Sequence, residues 1–255
     1  MISVSGKKWI ERKLNSRAIE KISVDNKFSY DLSKLILNRN YSTNELNELK
    51  YDFELTNPFS KNQDFLKAKE LLINILNRRG LILVYGDYDV DGVCSISILV
   101  NFFNYINNPN YYVIPSRFHD GYGPNLNLIK KKLRKNTKMV IFVDCGSNSI
   151  EIINFLKKKK IEVLIIDHHH INRKLETNLN IINPMKNSKD YVEHNICAAA
   201  LTFYLVHLIN SVLKKNVNIY DFLVFALLGT ICDLMPLRHL NKCITKIALN
   251  KFNKI

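Results

Sequence analysis

The sequence predicts an α/β fold: a mostly parallel sheet with helices on both faces, followed by a helical C-terminal segment. Three observations lead there. Short, continuous apolar runs of strand length recur at 81–85, 139–143 and Glu162–Ile166. Segments with helical apolar spacing alternate with them. After Cys197 the apolar stretches become helix-length, with no strand between them. Strands buried on both faces read as continuous apolar runs, and their alternation with helices is the mark of parallel crossovers.

The elements follow in order. Residues 1–56 are polar with short apolar clusters and read as an N-terminal arm or helical subdomain, with helices expected at 31–39 and 43–51. Residues 57–255 form the main domain. Asp64 is the expected cap of a helix carrying Phe65, Leu66, Ala68, Leu71, Leu72, Ile75 and Leu76, and Gly80 is its expected stop. A strand at 81–85, a helix at 93–105, a short strand at 111–114 and an amphipathic helix at 126–135 come next. A strand at 139–143, a helix at 149–159, the strand Glu162–Ile166 and a short strand at 179–182 complete the alternation. Helices are expected at Ala198–Leu213, 219–231 and 240–252.

Composition narrows the classes of function. No apolar run is long enough to cross a bilayer, and the polar N-terminus does not read as a secretory signal. Five scattered cysteines without a Cys-x-x-Cys pair argue for reduced thiols, a cytoplasmic location and no zinc site. A net charge of +14 suits a nucleic-acid partner. Lys greatly outnumbers Arg, however, and Asn and Ile are frequent, as in an A- and T-rich genome, so the charge is modest support. The run Lys157-Lys158-Lys159-Lys160 reads as a solvated helix end beside the negative pole of the helix dipole.

The chemistry lies where strands end. The run at 81–85 leads into Gly86-Asp87-Tyr88-Asp89-Val90-Asp91-Gly92, three alternating aspartates with Gly92 permitting the turn. The run at 139–143 leads into Asp144-Cys145-Gly146, and Glu162–Ile166 leads into Asp167-His168-His169-His170. Asp233 ends a strongly apolar helix. A lone aspartate after a strand is usually a turn or cap residue. Several on one rim of a sheet are different, because ligands bind outside the carboxyl ends of strands. Crowded carboxylates repel unless a cation neutralises them, and oxygen ligands suit Mg²⁺ or Mn²⁺. The set suits two divalent cations clamping an in-line displacement at phosphorus.

In order and spacing, these four groups resemble the motifs of the DHH phosphoesterases, and among them the RecJ-like single-strand-specific exonucleases. Asn57-Pro58-Phe59, Arg117-Phe118-His119-Asp120-Gly121-Tyr122-Gly123 and Ile182-Asn183-Pro184 strengthen the likeness, which runs from Asn57 to the C-terminus. The resemblance implies Asp89 on one metal, Asp91 on the other and Asp144 bridging, with His168 and Asp233 completing the second site and Asp87 beside the first. It implies that His169 contacts the scissile phosphate or moves a proton, that Asp167 orients a histidine, and that Arg117 contacts DNA phosphate. His170 is left as a surface residue. The implied activity is divalent-metal-dependent 5′-to-3′ hydrolysis of single-stranded DNA to mononucleotides in DNA repair and recombination. Implied partners are single-stranded DNA, a single-stranded-DNA-binding protein, and a separate chain carrying further domains.

Departures from the family pattern leave alternatives open. Cys197-Ala198-Ala199-Ala200 replaces a glycine-rich segment, and added Cβ atoms there are expected to push helices apart. Cys145 stands where the family has Asn, so an amide that positions water or a ligand is missing. DHH-associated and OB-like domains follow the fourth motif in the family, and here they are expected to be absent after Asp233. A phosphoesterase for short oligonucleotides, cyclic dinucleotides or pyrophosphate remains an alternative, as does a truncated, non-catalytic DNA-binding relative.

Overall fold

The computed structural model describes residues 2–8, 10, 12–50, 55–121, 123–172, 179–186, 190–213, 215 and 217–252. Tyr51, an expected helix end, and Tyr122 of the Arg117 loop lie outside the described residues. The chain divides into two units, Met1–Phe53 and Glu54–Ile255.

The first unit holds α1 (Ser16–Asn26), α2 (Tyr30–Asn38) and α3 (Thr43–Lys50). No apolar periodicity marks α1, because only Ile19 of that helix is buried. Its start is fixed instead by Asn15, whose side chain accepts from Ala18 N–H. A capping box opens α3: Ser42 Oγ accepts from Glu45 N–H, and Glu45 Oε2 accepts from Ser42 N–H at 2.7 Å.

The second unit begins with α4 (Gln63–Asn77), β1 (Leu81–Gly86), α5 (Val90–Tyr105), β2 (Asn110–Val113) and α6 (Leu126–Lys132). It continues with β3 (Thr137–Val143), α7 (Ile150–Lys158), β4 (Glu162–Ile166), β5 (Asn180–Ile182) and α8 (Ala198–Leu213). A 3-10 turn (Ile219–Phe222), α9 (Leu223–Cys232) and α10 (His239–Phe252) close it. The five strands are all parallel, in the order β2-β1-β3-β4-β5. Successive side chains of the continuous apolar runs go to opposite faces. Ile82, Val84, Ile141 and Ile166 join the core under α4, α5, α8, α9 and α10, whereas Leu83, Tyr85, Phe142 and Ile165 join the one under α6 and α7.

Several local expectations are corrected. Asn62, not Asp64, caps α4, its side chain accepting from Asp64 and Phe65 N–H. Asp64 instead meets Lys186 Nζ at 2.6 Å and the Tyr191 hydroxyl at 3.0 Å. Arg79, at φ 50°, takes the left-handed position that ends α4. Gly80 is needed for space, since a Cβ there would come within 2.9 Å of Ile75 Cγ2. The helix expected at 219–231 is split, because Asn218 caps a separate 3-10 turn before α9 begins. The amphipathic helix expected at 126–135 ends at Lys132, as Leu133 turns extended.

Candidate metal centre

The strand order reverses at β1: β2 lies on one side of it and β3 on the other. In sheets of this order the ligand crevice opens at the carboxyl ends of the strands flanking the switch point, β1 and β3. The sheet ladder runs one residue past two of the strands, with Asp144 N–H bonded to Ile166 O and Asp167 N–H to Ile182 O. These aspartates are therefore held by the sheet itself.

Asp87, Asp89 and Asp91 occupy the turn from β1 into α5. Asp89 caps α5, its Oδ1 accepting from Gly92 N–H at 2.9 Å, which is why α5 starts at Val90 and not at 93. Gly92 lies in the first helical turn without a positive φ. It is required by crowding, because a Cβ there would lie 2.5 Å from Asp87 O and 2.7 Å from Asp87 N. Asp91, buried, turns into the protein and caps α8. Its Oδ2 accepts from Ala198 N–H at 2.7 Å and its Oδ1 from Ala199 N–H at 2.8 Å. The N-terminal pole of α8 thereby faces a carboxylate. The alanines at 198–200 are all fully buried. The small residue that permits the close approach is Gly229 of α9. A Cβ there would collide with Asp91 Oδ1 and sit 2.7 Å from Ala199 Cβ.

Asp144 is buried and left-handed, at φ 59°. Gly146 follows at φ 104°, where a Cβ would meet Phe142 Cβ at 2.9 Å. Cys145 is buried in the core under α6 and α7 and also lines the pocket that Asp167 and His169 border. His168 Nε2 lies 3.2 Å from Asp144 Oδ1, 3.5 Å from Asp233 Oδ2 and 3.7 Å from Asp91 Oδ2. Asp233, the C-cap of α9, is thus brought to the strand ends by a helix.

Three groups of side chains place one ligand atom each within 4.8 Å of the others: Asp87, Asp89 and Asp144; Asp91, His168 and Asp233; and Asp144, His168 and His169. Asp144 and His168 each belong to two groups, so the clusters are contiguous. Neither carboxylate oxygen of Asp144 accepts a hydrogen bond, nor does Asp233 Oδ2. Burial, with Asp91 and Asp89 adding to it, pushes the Asp144 carboxyl up to about 12. Burial likewise raises Asp87, Asp91 and Asp233. Among the described residues, the only ion-pair partners of Asp91, Asp144 and Asp233 are His168 and His169. Buried carboxylates with idle lone pairs and no lysine or arginine to answer them fit hard divalent cations.

Asp167 has another part. Its Oδ1 accepts from His168 N–H at 2.8 Å, His169 N–H at 3.1 Å and His169 Nδ1 at 2.7 Å, and its Oδ2 accepts from Ser147 N–H at 3.1 Å. Burial pushes this carboxyl up, but the bonds from His169 and Ser147 outweigh it and hold it at about 2. The same bond raises His169 above its ordinary value, against burial. Two residues of this network, Ser147 and Asn183, were given no role in the sequence reading, although Asn183 belongs to the Ile182-Asn183-Pro184 segment. Asn183, fully buried, donates through Nδ2 to Ser147 Oγ at 2.9 Å and to His169 O at 3.0 Å. The signal for it was its place immediately after β5, on the rim that carries the other site residues.

Arg117 is not part of the carboxylate cluster. It is exposed on the turn after β2, its guanidinium carbon 5.7 Å from the centre of the Tyr88 ring. His170 is exposed, and its carbonyl accepts from Asn148 Nδ2. A small open pocket of about 200 Å³ between Gly123, Gly146, Asn148 and His169 adjoins the cluster.

Comparison with known proteins agrees with this geometry. The chain is 26% identical over 226 residues to the single-stranded-DNA-specific exonuclease RecJ of Bacillus subtilis, a match covering 88% of this chain and 28% of that protein. The crystal structure of exonuclease RecJ bound to manganese superposes with a TM-score of 0.69 at 26% identity, covering 77% of this chain and 49% of that one. RecJ of Thermus thermophilus, in complex with Mn²⁺, shares the fold with a TM-score of 0.73 at 20% identity, over 92% of this chain and 33% of that one. The chain spans about a third of the length of the curated relatives it matches. No helix among the described residues is long and apolar enough to cross a membrane. The family model for the DHH family, N-terminal domain, matches residues 81–230, and the chain belongs to that family.

Proposed function

We propose that this chain carries the metal-binding half of a RecJ-like exonuclease, hydrolysing single-stranded DNA from the 5′ end to mononucleotides. The observation that carries the reading is Asp144. It is a buried carboxylate with no hydrogen-bond donor on either oxygen, shared between two ligand groups at the sheet's switch point.

In this reading Asp87, Asp89 and Asp144 hold one cation, and Asp91, His168 and Asp233, with Asp144 between, hold the other. Mn²⁺ or Mg²⁺ bound there would supply Lewis acidity at the phosphoryl oxygens and a water activated near neutral pH. The protein's own side chains do the rest. With Nδ1 committed to Asp167, His169 presents Nε2 to the substrate and holds a proton there for a phosphate oxygen. Arg117 offers a planar fork to a neighbouring phosphate. The same reading places the protein in the cytoplasm, in DNA repair and recombination. Its partners would be a single-stranded-DNA-binding protein and a chain or segment supplying the facing wall of the cleft.

The test is Mn²⁺-dependent release of nucleotides from a 5′-phosphorylated single strand by the purified chain, alone and with the remaining domains of a RecJ relative supplied in trans. Asp144→Ala is expected to abolish release. Full activity in that variant would overturn the reading, and preference for a dinucleotide over the long strand would move the substrate to short phosphodiesters.

A further inference from the structure

Ten of the 37 lysines and arginines lie in two short segments, six in residues 130–138 and four in 157–160. The fold brings the segments together. Lys130, Arg134, Lys135, Lys138, Lys159 and Lys160 line one concavity of about 780 Å³, and no acidic residue lines it. Helix dipoles account for the lysines that end α6 and α7. They do not account for Lys135, in the connection after α6, or Lys138, on β3. Six like charges around one hollow repel one another and draw in anions. One aromatic ring, Phe155, lies among them, and a second, Tyr111, lies under Arg134 outside the lining. Phe155 lines the hollow, with Lys130 Nζ 5.5 Å and Lys159 Nζ 5.2 Å from its centre, and the Arg134 guanidinium sits 4.3 Å over Tyr111.

A charged groove with aromatic faces is how proteins track single strands without reading sequence: cations take the phosphates and rings take the bases. An acidic peptide would use the cations and leave the Phe155 ring idle. The hollow lies at the opposite end of β3 from Asp144, on the order of 20 Å away at about 3.3 Å per strand residue. It therefore cannot serve the phosphate held at the metal centre.

We propose that this hollow is a second binding tract for single-stranded nucleic acid, gripping the strand away from the bond being cleaved. The identity of the strand as substrate rests on the nuclease reading, but the tract does not need hydrolysis. The experiment measures binding of a labelled oligothymidine by anisotropy, in EDTA, across a salt series. Two triple variants of equal charge are compared: Lys135→Gln/Lys138→Gln/Lys159→Gln, and Lys61→Gln/Lys67→Gln/Lys69→Gln on and just before α4. The first is expected to flatten the slope of log K against log[salt] by about 2, at ~0.7 per phosphate contact in a single strand. The second is expected to change the slope by less than half as much. Equal effects of the two triples, or none, would overturn the tract, as would a first triple that keeps oligothymidine binding and loses polyglutamate binding. Should the first triple fold poorly by circular dichroism, Lys135→Gln alone is expected to give about a third of its slope change, and no change would overturn the proposal. Hydrolysis in Mn²⁺ is read separately. Tract-dependent binding with no hydrolysis, even with the remaining domains of a RecJ relative supplied in trans, sinks only the nuclease reading, and hydrolysis without tract dependence sinks only this one.

Discussion

Asp91 caps the helix that begins at Ala198: its Oδ2 accepts the Ala198 N–H at 2.7 Å while lying 3.7 Å from His168 Nε2. One carboxylate thus fastens α8 to α5 and also faces His168 in the candidate metal centre. Asp144, in the same cluster, fastens no helix: neither of its oxygens accepts a hydrogen bond, and its ion-pair partners among the described residues are His168 and His169. The two should respond oppositely to substitution. Asp91→Ala leaves two buried N–H groups without an acceptor and is expected to cost about 1–3 kcal/mol of unfolding free energy in EDTA. Asp144→Asn replaces a group that burial keeps protonated without a cation, so metal-free stability is expected to hold or rise. Added Mn²⁺ at a hundred times its Kd should stabilise the wild type by about 2.7 kcal/mol and Asp144→Asn by almost nothing. Denaturant melts with and without Mn²⁺ make the comparison. A loss of more than about 1 kcal/mol in metal-free Asp144→Asn would contradict the account of its burial.

Gly229 sets how closely α9 approaches that cap. A methyl group there meets Asp91 Oδ1, Ala199 Cβ and, at 3.2 Å, Cys197 Sγ. Cys197 Sγ and the carboxylate can yield by rotating, whereas Ala199 Cβ cannot, and rotation of the carboxylate takes it off α8 and away from His168. Gly229→Ala is therefore expected to cost about 1–3 kcal/mol by overpacking and to weaken Mn²⁺ binding together with stability. Calorimetric titration checks the second part, and unchanged Mn²⁺ affinity in a destabilised variant would show that Asp91 keeps its place.

The contrast between these residues also shows what the sequence could reveal. Apolar runs, their alternation with helices and the acidic residues at their ends were legible, because strand burial and ligand chemistry are written in residue type. The face each side chain takes was legible too, since the sheet fixes it by parity. What Gly92 and Gly229 do was not. Both are needed for clearance from a backbone or a carboxylate distant in the fold, and nothing local marks that. Asp91 read as a ligand only, because its second duty depends on where α8 begins relative to α5. The caps at Asn62 and Asn218 were missed because several polar residues sit near each helix start and only the backbone path selects among them.

His207 on α8 should make the fold sensitive to mild acid. Burial lowers its pKa, and its Nδ1 has no hydrogen-bond partner. Below the ordinary histidine value of about 6.5 the unfolded chain takes up a proton that the folded chain refuses, so stability falls as pH falls through that value. Replacing His207 with Leu removes this contribution. The gap in unfolding free energy between variant and wild type is expected to widen in the variant's favour from pH 7 to pH 5. Parallel curves would mean that His207 is protonated as readily folded as unfolded.

Asn183 should separate positioning from metal binding. It touches no carboxylate of the cluster, yet holds the His169 carbonyl and, through Ser147 Oγ, the residue whose N–H bonds Asp167. Asp167 in turn fixes His169 Nδ1. Removing such outer support commonly costs about 10–100-fold in activity or affinity. In Asn183→Ala the loss is expected in kcat, with Mn²⁺ affinity close to wild type, because His169 moves while Asp144, His168 and Asp233 stay. Asn183→Asp keeps the size but replaces the two N–H donors with acceptors, so it should fail to restore kcat, whereas Asn183→Gln should recover part of it. A variant that loses Mn²⁺ affinity in step with kcat would show instead that Asn183 supports the whole rim.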